Sequence, residues 1–328
     1  MPAPASQPPV RLVLDTSDPR PPVKLEYAQT QQVAPIPLPH ELKVHPTHPG
    51  GENALLTFVG TATTLIEWRG LRLMTDPNFL NAADTVHLIP GVKSKRLTNP
   101  SLPLNQVPPV HFILLSHYHE DHFDKLVEDR LRRHIPIITN SHAERHLTTS
   151  QYKHDPYTAV TALATWQTAN ITAGEAALDI TAMPAKHVRP GVREIINNVL
   201  HVLPPTNGWM LELKGDPPYR IYITGGTIMY EDLHDIPDKY PHIDLMLLYL
   251  GGTSLPDPKL PLLTTTMDAN RGIALMNMVK PDVTIPIHYD DYDAFRSPLE
   301  DFQHKVMHAG LEDRVVYLSR GGQYSFKV

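Results

Sequence analysis

The chain has 328 residues, 41% of them hydrophobic and 20% charged, with a formal net charge of −6 and no cysteine. These values fit a globular protein with ample core. They exclude disulfides, thiolate zinc sites and a catalytic thiol, and the acidic balance without a Lys/Arg block disfavours nucleic acid as a partner.

Two further features bear on location. No apolar run approaches the ~18 residues of a membrane span, and the first residues lack the apolar core of a secretion signal. We therefore expect a cytoplasmic protein without a membrane span.

The first 50 residues form a proline-rich arm, since 12 of the 34 prolines lie there. Such segments can form neither a helix nor a central strand. Two readings stay open: the arm is disordered, or it packs along the domain. The apolar spacing of RLVL and PIPL favours packing. We predict an N-terminal arm over residues 1–50 and one domain over residues 51–328.

Strand patterns begin directly after the arm. NALLTFVGTATTLIEWRGLRLMTDP predicts three short strands, broken at Gly60 and at the Arg-Gly pair that follows Trp68. VHFILLSH is a continuous apolar run typical of a buried strand. FDKLVEDRLRRH has helical periodicity over residues 123–134, IPIITN predicts a strand, and Ser141 is the predicted start of a short helix.

The second half of the chain repeats this alternation. ALDITAMPAKH and DVTIPIHYDD predict strands that end in a histidine, GWMLELKG and YRIYITGG predict a hairpin, and IDLMLLYLGG predicts a buried strand. Helices are predicted near Met267 or Asp268, ending at Pro281, and before Gly310. RVVYLSRGG, residues 314–322, is the predicted last strand. The mixture predicts a layered α/β fold, with sheets inside and helices outside.

The segment SHYHEDH, residues 116–122, carries three histidines and two acids at the end of a buried strand. In extended chain His117 and His119 face the same way, whereas Asp121 and His122 sit at the following turn and can aim at a second point. One segment can thus serve two adjacent ions. Imidazole and carboxylate suit Zn, Mn or Fe, and His187 and His288 are placed to add ligands.

HYHEDH resembles the signature of the metallo-β-lactamase fold superfamily. The resemblance spans residues 52–325 and includes SHYHEDHFD, PAKH, YRIYITGGT, LYLGGT and IPIHYDDYDAF. Their order is similar to that of the ascorbate-6-phosphate lactonase-like branch, and also to the N-acyl-phosphatidylethanolamine phospholipase D group. The resemblance implies an αββα sandwich of two mixed β-sheets flanked by helices, with the site at one sheet edge.

The resemblance also implies a ligand set. The first metal ion would be held by His117, His119 and His187. The second would be held by Asp121, His122 and His288. In the family an acid at the position of Asp76 supports the site from behind the ligands; a plain turn residue before Pro77 is the alternative.

The chain departs from the family at one position. The family usually has GDT after the strand YRIYI, and that aspartate bridges both metals, whereas this chain has Gly226 there. Either the site is damaged, or the bridge is dispensable, as in one lactamase subclass whose remaining ligands resemble these. Three protein ligands and a water make a normal open catalytic zinc site, but loss of the carboxylate leaves the repulsion between two close cations uncompensated. We expect a two-ion site with a weakened second ion.

These residues predict a metal-dependent hydrolase that opens a small cyclic ester or amide, as a lactonase or lactamase does. Metal-bound hydroxide would attack the carbonyl, and Asp121 would orient the nucleophile or carry a proton. One or two Zn ions, with Mn as the alternative, are the expected cofactor, and a small molecule is the expected partner. The competing hypotheses are a phosphodiesterase of phospholipase D type and a catalytically impaired metal-binding homologue.

The substrate pocket is harder to read. Tyr118 and Tyr289 flank predicted ligands, and the predicted loop over residues 77–92 contains Phe79 and His87. We take these four residues as candidates for the pocket wall, with ordinary packing as the alternative.

Overall fold

The computed structural model describes residues 8–28, 41–152, 154–191, 203–257 and 260–328. Two large mixed sheets lie face to face and share one apolar core. Phe58 and Phe112 of one sheet and Trp209, Ile221 and Leu245 of the other belong to the same buried cluster. The predicted two-sheet sandwich is therefore confirmed.

The first sheet has seven strands. In spatial order they are β1 (Val10–Val13), β11 (Thr168–Ala173), β12 (Ala176–Met183), β13 (Gly208–Leu213), β14 (Tyr219–Ile223), β15 (Leu245–Tyr249) and β18 (Val283–Ile287). β12, β14, β15 and β18 run in one direction, because β13 is antiparallel to both β12 and β14, and the last three strands pair in parallel.

The second sheet has eight strands. In spatial order they are β10 (Val160–Ala162), β9 (Ile137–Thr139), β8 (Phe112–Leu114), β5 (Leu71–Thr75), β4 (Thr63–Trp68), β3 (Ala54–Gly60), β19 (Gln323–Phe326) and β2 (Leu42–Lys43). β5, β8 and β9 are parallel. The hairpins β6 (Thr85–Ile89) with β7 (Val92–Lys95) and β16 (Ser254–Asp257) with β17 (Leu260–Thr264) stand apart from both sheets.

Helices cover the outer faces of the sandwich. The helices of the described residues are α1 (Leu25–Ala28), α2 (Lys125–Arg130), α3 (Ser141–Thr148), α4 (Asp235–Lys239), α5 (Ala269–Val279) and α6 (Leu299–Ala309). α2 and α3 pack on the eight-stranded sheet through Val127, Ala143 and Leu147. α4, α5 and α6 pack on the seven-stranded sheet. The layering is that of an αββα sandwich.

The helix ends follow local chemistry. The Asp268 side chain accepts a hydrogen bond from Arg271 N over 2.9 Å and so caps α5, and Gly310 ends α6 in the left-handed region at φ 64°. Asn140, not Ser141, caps α3 by accepting from Ala143 N over 2.9 Å. Ser141 is the first residue inside that helix.

Three predicted elements were wrong. The helix predicted over residues 123–134 is only α2, because Leu131 leaves helical geometry to form a bridge with Val23. The last strand is β19 rather than residues 314–322, of which only Val315 forms an isolated bridge, to Thr284. The loop predicted over residues 77–92 contains most of the β6–β7 hairpin, which turns at Gly91, where φ is 80°.

Part of the N-terminal arm packs against the sandwich. β1 pairs in parallel with β11 at the edge of the seven-stranded sheet, and β2 pairs in parallel with β19. RLVL therefore packs, as its spacing favoured, whereas PIPL lies outside the described residues. The boundary between residues 50 and 51 stays a prediction.

Candidate metal centre

One end of the sandwich gathers every residue that the sequence pointed to as a ligand. His117 follows β8, His187 follows β12, Gly226 follows β14 and His288 follows β18. Carboxyl ends of parallel strands meet at one edge, which is where rigid scaffolds hold reactive side chains. Asp76 follows β5, which runs parallel to β8, and reaches the same edge.

The donor atoms converge. One ligand atom each from His117, Asp121 and His122 lies within 4.8 Å of the others, and all three residues are buried. Asp121 Oδ2 is 3.6 Å from His122 Nε2 and 3.8 Å from His288 Nε2. The His117 ring centroid lies 4.7 Å from that of His187 and 5.7 Å from that of His119.

Each of the five imidazoles has at least one ring nitrogen next to a protein oxygen. The pairs are His117 Nδ1 with Ser116 Oγ at 2.9 Å, His119 Nε2 with Leu88 O at 2.6 Å, His122 Nδ1 with Asp76 Oδ2 at 3.0 Å, His187 Nδ1 with Thr265 O at 3.4 Å and His288 Nδ1 with Leu250 O at 3.2 Å. A backbone carbonyl only accepts hydrogen bonds, so the facing nitrogen of His119, His187 and His288 carries the proton. In His187 and His288 the opposite nitrogen then keeps its lone pair for a metal, which is the arrangement usual for metal-binding histidines. His119 differs from them, because its Nδ1 also faces a protein oxygen, Asp121 Oδ1.

The free nitrogens provide the test of fit. His187 Nε2 and His288 Nε2 are buried and have no hydrogen-bond partner among the described residues. Leaving a buried polar atom unpaired costs about 1–3 kcal/mol, and a metal ion on the lone pair would remove that cost. The donor set therefore fits a cation such as Zn²⁺ or Mn²⁺.

Electrostatics keep two of these imidazoles neutral. Burial, with the neighbouring histidines adding to it, lowers the pKa of His117 well below its usual value. Burial likewise lowers the pKa of His187 to about 3. Although burial opposes it, the charges of His119 and His122 hold the pKa of the Asp121 carboxyl well below its usual value. Neutral imidazoles and an ionised carboxylate are the forms that bind metals.

Asp76 lies behind the ligands and organises them. Its Oδ1 accepts from Ser116 N over 2.7 Å, and its Oδ2 accepts from Ser116 Oγ over 2.8 Å, besides His122. The Tyr249 hydroxyl donates to the same Oδ2 over 3.1 Å. Asp76 sits in the left-handed region at φ 31°. These contacts place Asp76 beside His122; its supporting role in a metal site stays a prediction.

Gly226 faces the candidate centre, at the position for which the resemblance predicts a bridging acid. A Cβ placed there would lie 2.8 Å from His187 Cε1 and 3.6 Å from His117 Cε1. The His187 ring thus occupies space that a side chain at position 226 would need. The preceding Gly225 is in the left-handed region at φ 66°, and a Cβ there would meet Asn207 O at 2.5 Å.

The four residues proposed for the pocket wall have other contacts. Phe79 is buried in the core under α2, and Tyr289 is buried under the helices of the seven-stranded sheet. The Tyr118 hydroxyl donates to Glu128 over 2.8 Å. His87 Nδ1 lies 3.0 Å from Glu120 Oε2 on the surface. A role of these residues in substrate binding stays a prediction.

Sequence reasoning missed two contributors to this centre. The β6–β7 hairpin docks onto the SHYHEDH segment, with Leu88 O facing His119 and His87 N donating to Glu120 Oε2 over 2.7 Å. The sequence pattern predicts Tyr249 only as part of an apolar strand. A buried tyrosine needs a partner for its hydroxyl, so an isolated Tyr ahead of LGGT was the available signal.

An apolar wall lies beside the hairpin. Val86 and Leu88 of β6 form one buried cluster with Val188, Leu203, Leu255, Tyr292 and Ala294. Val188 directly follows the predicted ligand His187, and Tyr292 lies four residues after His288. The wall therefore borders the metal centre.

Comparison with known proteins agrees with this geometry. Residues 72–289 match the beta-lactamase superfamily domain. The chain belongs to the beta-lactamase superfamily. Its fold is the metallo-β-lactamase fold, as the resemblance implied. A UPF0173 metal-dependent hydrolase from Archaeoglobus fulgidus is 27% identical over 272 residues, which cover 83% of this chain and 98% of that protein.

Two solved structures share the fold of this superfamily member. The isothiocyanate hydrolase from Delia radicum gut bacteria has a TM-score of 0.67 at 15% identity, covering 84% of this chain and 100% of that one. A possible metal-dependent hydrolase from Veillonella parvula has a TM-score of 0.64 at 13% identity, covering 83% and 99%. In the described ranges, every helix is too short or too polar to cross a bilayer.

Proposed function

We propose that the chain is a metal-dependent hydrolase that opens a small cyclic ester or amide. The first ion would be held by His117, His119 and His187. The second ion would be held by Asp121, His122 and His288. The observation that carries the proposal is the arrangement of four imidazoles, in each of which one nitrogen faces a protein oxygen and the other is left for a metal: His117, His122, His187 and His288. The matched relatives, named as metal-dependent hydrolases, support the same reaction class.

When bound, the metal supplies Lewis acidity and lowers the pKa of a coordinated water from ~15.7 to about 7. The protein's own residues position the reacting groups and accept the proton of the attacking water. Asp121 is buried at 4% exposure among the other ligands, and its carboxylate is the acceptor for the proton of the attacking water. The apolar wall limits water on one side, which strengthens the electrostatic interactions within the centre.

Gly226 argues for a weaker second ion. Two cations a few ångströms apart repel, and a bridging carboxylate would offset that repulsion. Here each ion would keep three protein ligands, which is enough for an open catalytic site. We propose a two-ion site whose second ion dissociates more readily, with Zn as the expected metal and Mn as the alternative.

The absence of a carboxylate at position 226 also supports a second candidate, an impaired homologue that binds metal without turnover. A phosphodiesterase is the third candidate, because two-metal sites also serve phosphoryl transfer. Metal-stripped protein should be assayed on lactones, lactams and phosphodiesters, with and without added Zn²⁺ or Mn²⁺. Metal-restored turnover of the cyclic esters or amides would support the lead proposal; turnover of the phosphodiesters alone would replace it. Metal binding without any turnover would favour the impaired homologue.

A matched pair of variants tests whether metal binding and turnover depend on the proposed centre. His187→Ala removes a proposed ligand, whereas His304→Ala removes an exposed histidine on α6. We expect His187→Ala to lose metal and any turnover, and His304→Ala to keep both. Equal metal content in the two variants would place the metal elsewhere.

A further inference from the structure

Tyr249 ends β15 where that strand enters the metal centre. Its side chain is buried at 1% exposure. Its ring is nearly parallel to that of His122, with centroids 6.2 Å apart and planes at 17°. It is also nearly parallel to the ring of His288, at 5.7 Å and 10°. Offset ring pairs at these distances attract one another, so Tyr249 restrains both imidazoles.

The two imidazoles also face each other. Their centroids are 5.1 Å apart and their planes meet at 26°. Tyr249, His122 and His288 therefore form a group of three near-parallel rings. Both histidines belong to the ligand set proposed for the second ion.

The Tyr249 hydroxyl provides a second link to the same ligand. It donates to Asp76 Oδ2 over 3.1 Å, and His122 Nδ1 lies 3.0 Å from that oxygen. The hydroxyl therefore helps to hold the carboxylate that orients His122. The backbone of Tyr249 is fixed as well, because its N–H donates to Thr224 Oγ1 over 3.0 Å, two residues before Gly226.

We infer that Tyr249 is a positioning residue for the second metal ion, with its ring aligning His122 and His288 and its hydroxyl holding Asp76. The inference rests on the two-ion site proposed above. Without a bridging carboxylate at position 226, three protein ligands hold this ion, and any freedom in their rings lowers its affinity. Outer partners of metal ligands typically contribute 10–100-fold in metal affinity.

Two variants separate the contribution of the Tyr249 hydroxyl from that of its ring. Tyr249→Phe removes the hydroxyl and keeps the ring, whereas Tyr249→Leu removes both. Tyr222→Phe is the matched control, because Tyr222 lies on the neighbouring strand β14, is fully buried, and its hydroxyl has no hydrogen-bond partner in the described part of the chain. Its loss should leave the centre unchanged.

Two measurements test the inference. Zn²⁺ competition titrations of metal-stripped protein give the affinity of each ion, and long-range ¹H–¹⁵N spectra of the metal-free protein report the tautomer and environment of each imidazole. We expect the second ion to bind about tenfold more weakly in Tyr249→Phe and up to about a hundredfold more weakly in Tyr249→Leu. The first ion should keep its affinity, and the His122 and His288 resonances should shift in both variants but not in Tyr222→Phe.

The inference is overturned if Tyr249→Leu leaves the His122 and His288 resonances in place, or if both ions weaken equally while all imidazole resonances shift. A native protein that binds one ion would contradict the two-ion proposal instead. In that case the spectra of the metal-free protein still decide: shifted His122 and His288 resonances support the positioning role, and unshifted ones overturn it.

Discussion

The ring of His187 lies directly against the backbone at Gly226, so that a methyl group added at position 226 would come within 2.8 Å of His187 Cε1. The glycine therefore has two effects. It offers no carboxylate to join the two proposed ions, and it leaves room for His187, a proposed ligand of the first ion. Restoring the acid does not simply repair the site, because His187 must move to admit it.

Two substitutions at position 226 separate these effects. Gly226→Ala adds only bulk, and we expect the first ion to bind about tenfold more weakly because His187 is displaced. Gly226→Asp adds the same bulk and a carboxylate, and we expect the second ion to bind at least about tenfold more tightly than in Gly226→Ala. Metal titration and turnover of both variants check this.

The comparison between the two variants is the control, since the steric change is shared. Equal affinities for the second ion would show that a carboxylate here contributes nothing. Turnover of Gly226→Asp above that of the native protein would favour the impaired homologue over an active two-ion enzyme.

Substitution of Asp76 should weaken metal binding although Asp76 is not itself a proposed ligand. Asp76 Oδ2 now lies next to Ser116 Oγ, His122 Nδ1 and the Tyr249 hydroxyl. In Asp76→Asn an amide NH₂ would take the place of that oxygen. Because the amide donates, His122 Nδ1 would have to accept, and so it would lose its proton. The imidazole proton would then sit on Nε2, which faces Asp121, and block metal binding. We expect the second ion to bind about 10–100-fold more weakly.

Metal titration and the His122 imidazole resonances measure this effect. Asp313→Asn, at an exposed aspartate, serves as the control. An Asp76→Asn protein with native metal affinity and an unchanged His122 tautomer would rule out the tautomer argument.

The proposed ligands could be picked out from the sequence because each lies in a segment that follows a strand; that they bind a metal stays a prediction. A buried strand followed by His-x-His-x-Asp-His indicates which residues could bind a metal and at which end of the strand they lie. His187 and His288 follow strands that run in the same direction. Asp76 was expected from the resemblance, but its contact with Tyr249 could not be predicted. Tyr249 and Asp76 are 173 residues apart, and the pairing of their side chains depends on how the two sheets face each other.

The misjudged elements have a related cause. The segment over residues 123–134 has helical periodicity throughout, but Leu131 pairs with Val23 and Arg132 N donates to Pro22 O over 2.9 Å. Contacts with the distant arm thus override local preference. In contrast, Gly91 was a local turn signal, and its neighbours could have been read as a hairpin.

A buried ion pair behind the centre should be important for stability. The Arg96 and Asp291 side chains are fully buried, with Arg96 Nη2 3.6 Å from Asp291 Oδ1. Asp291 Oδ2 also accepts from Thr61 N over 2.8 Å. Removing one partner leaves a buried charge uncompensated, so Asp291→Ala should lower the free energy of unfolding by about 3–5 kcal/mol. Urea unfolding measures the change.

Asp313→Ala is the control for this stability prediction, because an exposed carboxylate should change the unfolding free energy by less than about 0.5 kcal/mol. A loss below about 1 kcal/mol in Asp291→Ala would mean that water reaches Arg96 once the carboxylate is gone.

Two buried histidines, His117 and His187, should make the metal-free protein less stable in acid. Burial lowers the pKa of His187 to about 3 and that of His117 well below its usual value, so the unfolded chain binds protons that the folded chain does not. Stability from these groups is complete above the unfolded pKa of about 6.5 and is lost as pH falls from there toward 3. Each such histidine contributes a slope of about 1.4 kcal/mol per pH unit in that window. Urea unfolding at pH 6.5, 5.5 and 4.5 measures how the unfolding free energy changes with pH. His187→Gln should reduce that slope by about 1.4 kcal/mol per pH unit, which corresponds to one proton, whereas His304→Gln should leave it unchanged. An unchanged slope in His187→Gln would show that this imidazole is protonated in the folded, metal-free protein.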